Sequence, residues 1–162
     1  MTKRDGSRDF DFLLGDWHVR NRRLLTRLRG SNDWEAFDAT LAVRAVLGGA
    51  GNTDEFRTEH WGRPFVGMSL RLYDPRSGLW SIYWADNFTG KLQPPVVGSF
   101  EGGTGLFEGR DESDGRPVIA RFLWSDIRDS SARWEQAFSP DEGVTWETNW
   151  VMEFTRSSSL PG

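Results

Sequence analysis

The chain has 162 residues, a formal net charge of −4, no cysteine and two histidines. This length suits one domain whose core needs no covalent staples. The missing cysteines exclude a disulfide framework and a thiolate metal site, two histidines leave little for zinc, and an acidic balance without blocks of like charge argues against a nucleic-acid surface. No apolar run approaches the roughly 18 residues of a membrane span. The opening MTKRDGSRDF lacks the apolar centre of a signal peptide. The expectation is a cytoplasmic protein that binds no membrane, nucleic acid, metal or cofactor. Arginine far outnumbers lysine, which occurs only as Lys3 and Lys91, a bias that fits a GC-rich bacterial coding sequence.

In chain order, residues 1–9 are polar and read as disordered. Phe10, Phe12, Leu13 and Leu14 form an apolar cluster of about one helical turn that ends at Gly15. Strand-like runs follow at 16–26, 34–47, 52–60, 65–74, 79–86, 95–101, 104–110, 117–125, 132–139 and 145–155. Turn signals separate them, among them Gly48–Gly49, Gly62–Arg63–Pro64, Asp74–Pro75–Arg76–Ser77–Gly78, Gly102–Gly103 and Ser113–Asp114–Gly115. No segment has a sustained 3.6-residue period. The fold class is therefore all-β: an antiparallel meander of about ten strands closed into a barrel, which removes exposed sheet edges. One domain spans 10–156, and 157–162 is a small, polar, frayed tail.

Nine tryptophans are the dominant feature. At the end of the chain Trp146, Thr148, Trp150, Met152 and Phe154 alternate with Glu147, Asn149, Val151 and Glu153, the period of a strand with one buried face. The same alternation turns Trp17, Val19, Asn21, Arg23 and Leu25 inward, then Phe37, Ala39, Leu41, Val43 and Ala45, then Asn52, Asp54, Phe56, Thr58 and His60. Further inner sets are Met68, Leu70 and Leu72; Trp80, Ile82, Trp84 and Asp86; Phe122 and Trp124; and Trp134, Gln136 and Phe138. A charge on such a face must be paired, because leaving it alone costs several kcal/mol. Arg23 with Asp54 or Asp86 is the expected pair. The polar members of the inner set either sit at the barrel rims or line a partly polar cavity, which a barrel of this strand number has room for.

Phe10, Phe12, Leu13, Gly15 and Trp17 spell F-x-F-L-x-G-x-W. A helical turn followed by a Gly-x-Trp strand resembles the start of lipocalin-like (calycin) barrels, in which the tryptophan closes the floor. The later segments WSIYWAD, RFLWS and RWEQAFSPDEGVTWETNWVMEFTR are similar to an uncharacterised group of bacterial lipocalin-like proteins, over roughly residues 10–156. The resemblance implies a barrel with a central ligand cavity and no settled reaction. Nitrobindin-type barrels are more distantly similar and bind haem through a histidine near the C-terminal strand. This chain has no histidine after His60, and Met152 alone reads as a gap-filler. Ser139, Asp141, Gly143, Thr145 and Trp146 spell the Asp-box S-x-D-x-G-x-T-W known from sialidase propellers. Its physical content is a hairpin turn held by side chain to backbone hydrogen bonds, here between the last two strands. A propeller would need several repeats of it.

The chain has neither a phosphate-cradling Gly-x-x-x-x-Gly-Lys nor a G-x-S-x-G elbow. Three readings remain. The first is a binding protein for a small, mostly apolar or aromatic molecule, walled by Trp80, Trp84, Trp124, Trp134 and Trp150 with Met152, its polar groups oriented by Asn21, Arg23 and Gln136. The second is a cofactor-free isomerase, cyclase or lyase in the same cavity, with Asp54, His60 or Asp86 as acid or base and Arg23 stabilising a developing anion. The third is a packed barrel whose tryptophans fill the core and whose outer surface, including Tyr83, supports a homodimer. Trp17 reads as a floor plug and Trp146 as a hairpin anchor; Trp34 and Trp61 fall near turns.

Overall fold

A computed structural model describes residues 4–157. Its ten strands are β1 (Gly15–Leu24), β2 (Trp34–Val46), β3 (Gly51–Thr58), β4 (Phe65–Asp74), β5 (Leu79–Asp86), β6 (Val96–Glu101), β7 (Thr104–Ser113), β8 (Arg116–Ser125), β9 (Ser131–Ser139) and β10 (Glu147–Arg156). Each pairs antiparallel with its chain neighbours, and β1 also pairs with β10, so the meander closes into a barrel without a free edge. The apolar cluster ahead of β1 forms a single 3-10 turn, Asp11–Leu13. Among the described residues no helix is long and apolar enough to cross a membrane. The expected frayed tail lies outside the described residues apart from Ser157, as do residues 1–3 of the expected disordered start.

The turn plugs one end of the barrel. Phe10, Leu13 and Trp17 are completely buried there. The Phe10 ring meets Trp80 edge-on at 5.0 Å and stacks on Phe107 at 5.5 Å. Two hydrogen bonds satisfy the indoles of this floor, from Trp17 Nε1 to the Leu13 carbonyl and from Trp80 Nε1 to the Gly6 carbonyl. Gly6 N–H in turn donates to the Tyr73 hydroxyl, which ties this N-terminal segment to the floor. Arg156 locks the plug from outside: its guanidinium lies 4.2 Å from the Trp17 ring and donates to the carbonyls of Phe12, Leu14 and Asp129.

Three inner-face expectations are corrected. On β4 the faces are inverted: Phe65, Gly67, Ser69 and Arg71 point inward and are buried, while Met68, Leu70 and Leu72 face outward. The neighbours set this register, because Phe56 pairs with Gly67 and Trp84 with Ser69. Gly67 is required where it stands, since a Cβ there would run into the Trp84 ring. On β10 an irregularity between Thr148 and Trp150 breaks the expected row: Thr148 is exposed and Asn149 fully buried, while Trp150, Met152 and Phe154 keep the inner face. At the strand ends, Leu25 and Ala45 are exposed. Leu25 lies past the end of β1, and Ala45 past Val43, the residue of β2 opposite the first residue of β1.

The Asp-box forms the β9–β10 hairpin. Ser139 Oγ donates to Asp141 Oδ1, and Asp141 accepts from Thr145 N–H at 2.8 Å and from Thr145 Oγ1 at 2.6 Å. Gly143 takes φ +89°, and Trp146 Nε1 donates to its carbonyl. The hydroxyl and amide of Thr145 hold the Asp141 carboxyl well below its usual value, at about 2. This carboxylate therefore favours the folded state at pH above its unfolded value of 3.8, and the contribution fades as pH falls toward 2. Asp141→Ala is expected to lower the denaturation midpoint at pH 7, with the gap to wild type narrowing between pH 4 and pH 2. A gap that stays constant over that range would show that the carboxylate charge is not what holds the hairpin.

Candidate functional site

The plug fills only the floor. Above it, toward the end where β1 finishes and β10 begins, the barrel encloses a cavity of about 290 Å³, near the lower end of the roughly 300–1,000 Å³ typical of small-molecule sites. Its walls include Trp84, Trp124, Trp134, Trp150, Phe56, Phe122 and Phe138, with Ile82, Met152 and Phe154 between them. The aromatic wall is continuous: Trp134 meets Phe122 at 5.0 Å and Trp150 at 6.2 Å. Alternation on β5, β8, β9 and β10 brings these rings to one surface, and Gly67 leaves the space that the Trp84 ring occupies.

A buried ionic cluster forms one side of this chamber. Arg71 Nη2 lies 2.7 Å from Asp54 Oδ2, with both side chains almost fully shielded from solvent. Asp54 Oδ1 accepts the Ser69 N–H, and Arg71 Nη1 donates to Asn52 Oδ1 at 2.9 Å. Such a pair is tolerable in a barrel interior because each charge has a partner and further hydrogen bonds. Arg23 is consequently not the partner of Asp54 or Asp86. It lies 3.6 Å from Glu35, a carboxylate also contacted by His60 at 3.1 Å and Trp61 Nε1 at 3.3 Å.

Two guanidiniums stand at the mouth over one indole. Arg23 is 5.2 Å and Arg27 5.9 Å from the Trp150 ring, and Arg27 is also 5.3 Å from the Phe138 ring. Asn21 fixes that indole by accepting its N–H at 3.0 Å. Burial lowers the Arg23 guanidinium below its ordinary value despite the attraction of Glu35. Burial, with the nearby charge of Arg23 adding to it, brings Arg27 down to about 10.

Of the residues singled out from the sequence, Arg23, Asp54, Trp84, Asp86, Trp124, Trp134, Gln136, Trp150 and Met152 line the cavity. Trp80 does not, being part of the floor. Asn21 is fully buried behind Trp150 and does not line it. His60 lies at the outer rim, stacked on Phe37 at 4.5 Å and bonded to Glu35. Asp86 lines the cavity edge, where it accepts from Trp84 Nε1 at 3.1 Å and from the backbone N–H groups of Phe88 and Thr89. Gln136 Nε2 donates to Asn149 Oδ1.

Sequence reasoning missed Arg27, Ser69 and Arg71. Arg71 followed from the inverted face of β4; the small residues Gly67 and Ser69 beside it were the available signal. Arg27 lies in the loop after β1, beyond the reach of any strand alternation.

No protein-family model matches this chain, and no curated protein matches its sequence. The site's chemistry must be read from its own residues.

Removing one member of the Asp54–Arg71 pair leaves the other charge buried and alone. Asp54→Asn and Arg71→Met are each expected to cost about 3–5 kcal/mol in urea unfolding. The double variant is expected to cost clearly less than the sum of the two. Additive losses would show that the two groups do not depend on each other.

Proposed function

We propose that the barrel binds a small, mostly apolar or aromatic molecule in its tryptophan-lined interior. The observation that carries this reading is the unfilled space of about 290 Å³ among four indoles and several phenyl rings. Protein interiors normally close to near-crystalline density, so a void of this size with an aromatic lining and a few polar groups is the form of a ligand site. The resemblance to bacterial lipocalin-like barrels points the same way, since such barrels hold ligands between floor and mouth.

Binding is favoured over acid–base catalysis by what the three candidate groups are doing. Both Asp54 oxygens are engaged, by Ser69 and Arg71. Asp86 caps the turn after β5 and holds the Trp84 indole. His60 faces Glu35 at the rim.

Titration with one- and two-ring aromatic compounds, neutral and charged, is expected to perturb indole fluorescence with saturation at one ligand per chain. Ala120 is a buried cavity-lining residue on β8. Ala120→Phe fills the chamber and is expected to weaken binding at least tenfold while the far-ultraviolet circular dichroism stays that of the wild type. If no compound in the set alters the fluorescence or binds by calorimetry, the cavity is not a ligand site.

A further inference from the structure

The interior is short of hydrogen-bond acceptors. Among the described residues, the buried side-chain atoms on the cavity lining that lack a hydrogen-bond partner are Arg23 Nε, Arg27 Nε and Nη2, Arg71 Nε, Trp124 Nε1 and Asp54 Oδ2. Five of these six are donors. The one acceptor, Asp54 Oδ2, is already 2.7 Å from Arg71 Nη2. A buried donor without a partner costs free energy, and a buried guanidinium without one costs more.

The deficit is sharpest at Arg27. No carboxylate of the described residues lies within ion-pair distance of it, although the chain carries more acidic than basic side chains. Asp111, Asp114 and Glu147 are near enough to attract it, and Asp111 and Glu112 share the cavity lining, but none of them forms an ion pair with it. Glu147 Oε1 accepts the Leu28 N–H at 2.6 Å, and Asp111 Oδ1 accepts the Glu112 N–H. Arg23, the cation whose charge acts on it, shares Glu35 with His60 and Trp61. Arg110, also on the lining, is taken by Glu142. Two positive groups thus converge on the face of Trp150, and of the two only Arg23 has an ion-pair partner, Glu35. Burial lowers the pKa of both.

We infer that the ligand of this cavity is amphipathic: an aromatic or apolar body packed among Trp84, Trp124, Trp134 and Trp150, and a carboxylate-class anionic head group received by Arg27 and Arg23 at the mouth. This rests on the cavity being a ligand site. The head group supplies the acceptors the protein withholds, and charge-assisted hydrogen bonds in a shielded site are the strong kind. The apolar wall and the two guanidiniums meet at Trp150, so one molecule can use both. Arg27 is then a residue kept for binding at a cost to the empty protein.

The test is calorimetric titration of the wild type with 2-naphthoate and with 2-naphthamide, which share a body and differ in charge. The acid is expected to bind at least tenfold more tightly. Arg27→Met is expected to remove that preference, leave 2-naphthamide binding within twofold of wild type, and unfold no earlier than wild type when empty. Equal binding of the two compounds by the wild type would overturn the anionic head group and leave the aromatic cavity standing. So would a preference for the acid that survives in Arg27→Met. Failure of both compounds to bind the wild type would overturn the cavity reading and this inference together. The comparison of the two compounds on the wild type decides the head group's charge even if the variant does not fold.

Discussion

Closure of the sheet along the β1–β10 seam is the constraint from which the rest follows. The register running from Trp17 opposite Arg156 to Arg23 opposite Trp150 turns a ten-strand meander into a barrel. The same seam runs from the floor to the mouth. At the floor it places Arg156 over Trp17 and beneath the carbonyls of the N-terminal turn. At the mouth it places Asn21 against the Trp150 indole and Arg23 over its face. A barrel of this strand number is wider than its own side chains fill. Because the plug occupies only the floor, the remaining volume collects toward the mouth.

The interior treats its polar groups in two ways. Near the middle, Asp54, Arg71, Asn52 and Ser69 form a nearly self-satisfied cluster, as a stable interior requires. At the mouth the guanidiniums of Arg23 and Arg27 are half-buried; Arg23 is paired with Glu35, while Arg27 has no ion-pair partner among the described residues. A fold selected for stability alone would place a carboxylate beside Arg27 or an apolar residue in its position. Asn21 shows how finely the mouth is built: fully buried, it spends its carbonyl oxygen on orienting one indole.

Much of the fold was legible in local pattern. Strand positions followed from alternation and turn residues, and the Asp-box specified its own hairpin; the floor plug was what the resemblance of the F-x-F-L-x-G-x-W opening to lipocalin-like barrels implied. These signals are local, acting over a few residues of backbone and side chain. The failures were also physical. β4 carries its larger aliphatic residues outward because Gly67 must yield to the Trp84 ring and Arg71 must reach Asp54. The irregularity at Thr148 shifts the start of β10 by one residue, which strict alternation cannot foresee. Trp80 looked like wall and is floor, because only closure decides how deep along the barrel axis an inward residue lies.

The sequence by itself determined that the chain forms an all-β barrel with an aromatic inner face, since the period-two pattern and the turn chemistry act within short stretches. Which indoles surround a space, which arginines meet over Trp150, and which of them lacks an ion-pair partner were decided only by the tertiary structure. Those relations join residues more than a hundred positions apart, such as Asn21 and Trp150, or place a loop residue such as Arg27 against strands that alternation says nothing about. They depend on closure and on shielding from water, and neither exists until the barrel has formed.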